Sequence, residues 1–96
     1  MLVLITYDVS TETPAGSKRL RQVARICTNY GQRVQHSVFE CILDATQLLI
    51  VKNTLLKSID QSTDSLRFYL LGNNYKNKVE HYGVKASFDV TEPLVL

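Results

Sequence analysis

The chain has 96 residues, with 11 Lys+Arg against 9 Asp+Glu, a formal charge of +2 and 45% hydrophobic residues. That length is one domain, whose folding buries roughly 65% of the extended chain's surface, so the core has little surplus. The ordinary apolar content excludes a disordered tail, two cysteines exclude a disulfide scaffold, and no apolar run reaches the roughly 18 residues of a membrane span.

Met1–Asp8 has neither a basic n-region nor a small-residue cleavage site, so no signal peptide is expected and the protein reads as cytoplasmic. Within it, Leu2–Tyr7 (LVLITY) is a short β-branched apolar run closed by Asp8. Without polar alternation, it predicts a central strand buried on both faces. Thr11–Gly16 (TETPAG) is turn chemistry, with Pro14 and Gly16 as breakers. A helix follows to about Tyr30, with Thr13 or Ser17 as its N-cap and Gly31 at the C′ position. Leu20, Val23, Ala24 and Cys27 form its core stripe, and Lys18, Arg21 and Arg25 lie on a different face.

Gln32–Leu43 (QRVQHSVFECIL) has strand composition throughout, as one bent strand or as two strands around a turn near His36–Ser37. Asp44 is the expected N-cap of a second helix, Ala45 to about Ile59, followed by a polar connection, Asp60–Asp64. Ser65–Leu71 (SLRFYLL) reads as a strand ended by Gly72-Asn73-Asn74. A further short strand is expected near Val84–Val90. The apolar end Leu94-Val95-Leu96 suits an edge strand on this chain's sheet or on a partner's.

This order describes one α+β domain over 1–96, a ferredoxin-like βαββαβ sandwich with an extra C-terminal strand. Both helices then cover one sheet face, and a homodimer packed sheet against sheet would cover the other.

Charge is unevenly placed. From Thr13 to Phe39 there are five basic residues (Lys18, Arg19, Arg21, Arg25, Arg33) and no acid, against six bases and nine acids elsewhere. A solvated helix face is the commoner reading of such a stretch, but solvated helices usually intersperse both signs, so the absence of acids weighs toward a phosphate-binding surface. Asp8, at a strand end before a loop, is the sharpest candidate for chemistry. A carboxylate there suits Mg²⁺, although turns and helix caps use aspartate in the same setting.

Cys27 and Cys41 belong to no CxxC pair and, with only His36 and His81, give zinc little support. There is no P-loop, GxGxxG or HExxH, and the sheet lacks the aromatic motif of RNA-reading domains. Core packing is accordingly the plainer role for Phe39 and Phe68, and Arg33 fits either a phosphate contact or an ordinary strand surface.

LVLITYDV, then KRLRQVARICTNYGQRVQHSVFEC, then DSLRFYLLG resemble, in order and over essentially the whole chain, the CRISPR-associated protein 2 family of spacer acquisition. The ending, GNNY and KVEHYG before an acidic-Pro-apolar tail, is similar to the type I-C-like branch. The resemblance implies a homodimer in which Asp8 of each protomer faces the other as a Mg²⁺ ligand. It further implies that Tyr7, Arg19, Arg21, Arg33 and Phe39 match the family's proposed site, with Ser37 as the motif's small hydroxyl. Tyr7, Ser37, Arg33 and Phe39 are accordingly expected beside Asp8 in the catalytic site, and residues 84–96 would complete the partner protomer's sheet. From the charge pattern of the acid-free segment, nucleic acid would be held by Lys18, Arg19, Arg21, Arg25 and Arg33.

The implied activity is a Mg²⁺-dependent endonuclease acting on double-stranded DNA, single-stranded RNA or both. Its alternative is a non-catalytic dimeric scaffold that bridges CRISPR integrase dimers and binds incoming duplex DNA. A toxin-like ribonuclease of related fold is a more distant third. No element reads bases, so recognition by shape and charge is expected, with no membrane partner.

Overall fold

The structure is a computed structural model, described here for residues 1–84. The expected strand near 84–90, beyond Val84, and the apolar end 94–96 lie outside those residues, as does the extension's expected packing on a partner.

Six elements follow one another: β1 (Leu2–Asp8), α1 (Pro14–Thr28), β2 (Gly31–Gln35), β3 (Val38–Ile42), α2 (Ala45–Ser58) and β4 (Ser65–Gly72). The strands form one sheet in the order β2-β3-β1-β4, with every neighbouring pair antiparallel. This is the expected α+β ferredoxin-like layout, with β1 central.

Local chemistry sets the boundaries. Thr13 is extended, and its hydroxyl accepts the Gly16 N–H at 3.0 Å, while Pro14 occupies the first turn, where no backbone donor is needed. Gly16 therefore lies inside α1 and does not break it. A Cβ there would sit 1.8 Å from the Ser10 carbonyl oxygen, so the glycine permits the loop after β1 to close onto the helix. The helix stops at Thr28, two residues before its expected end, with Asn29 as its C-cap, so Gly31 lies one position beyond C′. Gly31 instead opens β2, where a Cβ would meet the Glu40 carbonyl oxygen at 1.9 Å.

The open question over 32–43 resolves as a hairpin. Gln35 pairs with Val38 across a turn at His36–Ser37, and a register shift between Arg33 and Gln35 leaves Val34 as an extra residue. Asp44 caps α2 through a capping box: its carboxylate accepts the Gln47 N–H at 2.7 Å, and the Gln47 side chain accepts the Asp44 N–H at 3.0 Å.

Both helices cover one face of the sheet. Val3, Ile5 and Tyr7 from β1 and Phe39 and Cys41 from β3 pack there against Leu20, Val23, Ala24 and Cys27 of α1 and Leu48, Val51 and Leu55 of α2. The expectation that β1 is buried on both faces needs correction. Its alternate residues Leu4 and Thr6 are half-buried and Asp8 is exposed, because among the described residues no helix lies on their side. That open face presents Ile42, 58% exposed, and Tyr69, 42% exposed. Residues of 79–84 line, with β2 and β3, a space of about 690 Å³ whose walls include Val38, Glu40 and Tyr82.

Candidate functional site at the end of β1

Asp8 is the last residue of β1, stands opposite Ser65 of β4, and is exposed on the open side of the sheet. Thr13 caps α1, so Asp8 has no capping duty. Among the described residues no group of three or more His, Cys, Asp and Glu side chains could hold a metal, which leaves zinc without a site there. Mg²⁺ asks less of a protein: one or two carboxylates, with waters and substrate phosphate oxygens completing an octahedron. One chain's Asp8 fits that demand as a single oxygen-donor group.

Directly behind Asp8 the chain turns inward. Tyr7 is 1% exposed, and its phenol donates a hydrogen bond to the Asp64 carboxylate. Arg19 of α1 forks onto the same group, Nε to Oδ2 at 2.8 Å and Nη2 to Oδ1 at 3.1 Å. The Asp60 N–H at 3.0 Å and the Thr63 hydroxyl at 3.1 Å complete the ring of donors.

Burial of the Asp64 side chain, which is 1% exposed, works to raise its pKa. The hydrogen bonds from Arg19, Tyr7, the Asp60 backbone and Thr63 outweigh it and hold the group well below the usual carboxylate range. Tyr7 moves the other way, pushed up to about 12 by burial first and then by its bond to Asp64. The phenol thus keeps its proton near neutral pH and faces the core, out of reach of a ligand at Asp8.

The turn between β2 and β3 closes the same end of the sheet. The Ser37 carbonyl accepts the Tyr7 N–H at 2.9 Å. Phe39 is fully buried opposite Ile5, as the core-packing alternative requires. Arg33 pairs with Phe39 across β2–β3, its guanidinium carbon 5.6 Å from the ring centroid, and its Nε donates to the His36 carbonyl at 2.6 Å. Tyr7, Arg19 and the Ser37 carbonyl therefore meet on the helix side of the end of β1, with Arg33 and Phe39 one step along the hairpin on that same side. The Asp8 side chain emerges on the opposite, open face, because successive residues of a strand point to opposite faces. The expected placement of Tyr7, Arg33 and Phe39 beside the Asp8 carboxylate thus needs correction.

The five bases of the acid-free stretch do not form one face. Arg19 is ion-paired with Asp64 and Arg33 sits on β2, whereas Lys18, Arg21 and Arg25 are exposed on α1, in the layer across the sheet from Asp8. Arg25 and Lys57 line a shallow cleft of about 420 Å³ between the helices. Sequence reasoning missed Lys57 and Asp64. Lys57 could have been found as a base in the last turn of α2, but Asp64 sat in a polar connection with nothing to mark it as buried.

Residues 1–79 match the family described as "CRISPR associated protein Cas2". The chain is 63% identical over 95 residues to the "CRISPR-associated endonuclease Cas2" of Halalkalibacterium halodurans, covering 99% of each chain. It is 55% identical over 96 residues to the "CRISPR-associated endoribonuclease Cas2" of Nitratidesulfovibrio vulgaris, covering 100% of this chain and 94% of that one. The crystal structure of Streptococcus pyogenes Cas2 at pH 6.5 superposes with a TM-score of 0.80 at 58% identity, covering 86% of this chain and 100% of that one.

Proposed function

The chain belongs to the CRISPR associated protein Cas2 family, and we propose that it is a Mg²⁺-dependent endonuclease of spacer acquisition, acting in the cytoplasm on double-stranded DNA, single-stranded RNA or both. The observation that carries this reading is Asp8: an exposed carboxylate on the open sheet face, backed by a buried Tyr7 and a closed hydrogen-bond network. Hydrolysing a phosphodiester requires charge stabilisation at the phosphate and an acidified water, which a divalent cation supplies when bound. In this reading Asp8 holds the cation, and Lys18, Arg21 and Arg25, joined by Lys57, lie across the sheet from it and hold flanking nucleic-acid backbone, not the phosphate at Asp8, without reading bases.

Tyr7 and Phe39 act from inside the core by fixing β1 and β3, Ser37 ties the hairpin turn to the end of β1, and Arg33 lies beside them for a phosphate contact. Pairing of two protomers through the open face, at Ile42 and Tyr69, would set two copies of Asp8 toward each other and supply the second carboxylate.

The deciding experiment incubates the protein and Asp8→Ala with Mg²⁺ and either duplex DNA or single-stranded RNA. Cleavage by the wild type alone is expected, on one substrate or both; equal cleavage by the two proteins would end the catalytic reading.

A second reading has its own support. The exposed bases of α1 lie in the layer opposite Asp8, so a duplex held there needs no catalytic carboxylate. On that reading a dimer scaffolds the CRISPR integrase and the incoming DNA, and Asp8→Ala would still support spacer acquisition in cells carrying the integrase.

A further inference from the structure

A carboxylate on the last residue of a strand, next to a loop, sits where strands fray. Asp8 is in that position, yet the residues behind it are tied from three directions. Ser65 pairs with Asp8 across β1–β4, the Tyr7 N–H is held by the Ser37 carbonyl, and the Tyr7 phenol is held by Asp64. Asp64 is the joint among these ties. It immediately precedes Ser65, its side chain is 1% exposed, and it also grips Arg19 of α1. One buried carboxylate thus couples β1, α1 and the loop before β4 at the end of the sheet where Asp8 emerges.

We propose that Asp64 is a positioning residue for Asp8: by gripping Tyr7 and Arg19 together it fixes the end of β1, and so the placement of the Asp8 carboxylate. The proposal rests on the reading of Asp8 as the metal-holding group. Asp64 touches neither substrate nor cation. Its contribution is preorganisation, and small misplacements of a reacting group reduce turnover steeply. A residue that only stabilised the fold would leave turnover unchanged in any variant that remained folded.

The test compares the full-length protein with Asp64→Asn, Tyr7→Phe and the double variant, at a temperature where circular dichroism shows each to be folded. Asp64→Asn keeps the side chain's shape and removes its charge; Tyr7→Phe deletes the one donor that reaches Asp64 from β1. Each is expected to lower kcat on the cleaved nucleic acid by about tenfold to a hundredfold, with KM within about twofold. The double variant should be no worse than the poorer single, because both cut the same link.

Amide hydrogen exchange gives a readout independent of cleavage. In Asp64→Asn the amides of Tyr7 and Asp8 should exchange about tenfold faster, with Val3 and Ile5 unchanged. A folded Asp64→Asn with wild-type kcat, or with unchanged exchange at Tyr7 and Asp8, overturns the proposal. If the wild type cleaves no faster than Asp8→Ala, the nuclease reading fails by itself, and the exchange data still decide whether Asp64 fixes the end of β1. Should Asp64→Asn fail to fold, Tyr7→Phe carries both measurements.

Discussion

Asp64 accepts hydrogen bonds from Tyr7, Arg19, Asp60 and Thr63 while its side chain is almost wholly enclosed, and this makes acid stability its signature. Its pKa in the folded protein is depressed, so it contributes stability that is fully present above the unfolded value of about 3.9 and is lost as pH falls through the folded value. Asp64→Asn lacks that contribution at neutral pH and has none to lose in acid. The difference in Tm between wild type and Asp64→Asn is therefore expected to be greatest near neutral pH and to shrink as pH falls from about 4 towards 2. A gap of constant size across that range would contradict the assignment.

Phe39 behaves differently. It is fully enclosed between β1 and the helices, so Phe39→Ala should cost about 3–5 kcal/mol of stability in denaturant titrations, with activity falling in proportion to the unfolded fraction. The Tyr7-Asp8 pair could be singled out from the sequence because an apolar run ending in a carboxylate is a local signal. That Tyr7 points inward onto Asp64 is a contact between residues 57 apart in the chain, which no local pattern encodes.

Among the elements, α2 and β4 were legible almost to the residue, since a capping box and a glycine stop are written into adjacent positions. The glycines at 16 and 31 were misread for a common reason. Each was assigned by its local habit of breaking or ending helices, whereas each is required by a backbone that approaches from elsewhere. Gly31 gives the cleaner test because its Cβ would meet backbone on three atoms, two of Glu40 and one of Cys41, all within 2.8 Å. Backbone cannot swing aside as a side chain can. Gly31→Ala is thus expected to push β2 away from β3, destabilise the protein by more than the usual 0.5–3 kcal/mol or so of a point mutant, and loosen the Arg33–Phe39 contact with it. Wild-type stability for Gly31→Ala in a urea titration would show that the hairpin adjusts freely.

For the whole molecule, a net charge of +2 conceals how the bases are used. Counting residues could not separate Arg19, whose guanidinium is forked onto Asp64, from Arg21 two positions later, which is exposed on the outside of α1. Salt dependence can separate them. Each phosphate neutralised by a side chain steepens the fall of log affinity with log salt by about 0.9 on duplex DNA, through counterion release. With Arg21 and Arg25 contacting phosphates, Arg21→Ala and Arg25→Ala should each flatten that slope by about 1. Arg19→Ala should leave the slope nearly unchanged while lowering Tm, because it removes an internal partner of Asp64 and no phosphate contact. Fluorescence anisotropy on a short duplex across a salt series, beside a thermal melt of each variant, makes the comparison. If Arg19→Ala flattens the slope as much as Arg21→Ala, the guanidinium leaves Asp64 to meet DNA, and the network behind Asp8 opens on binding.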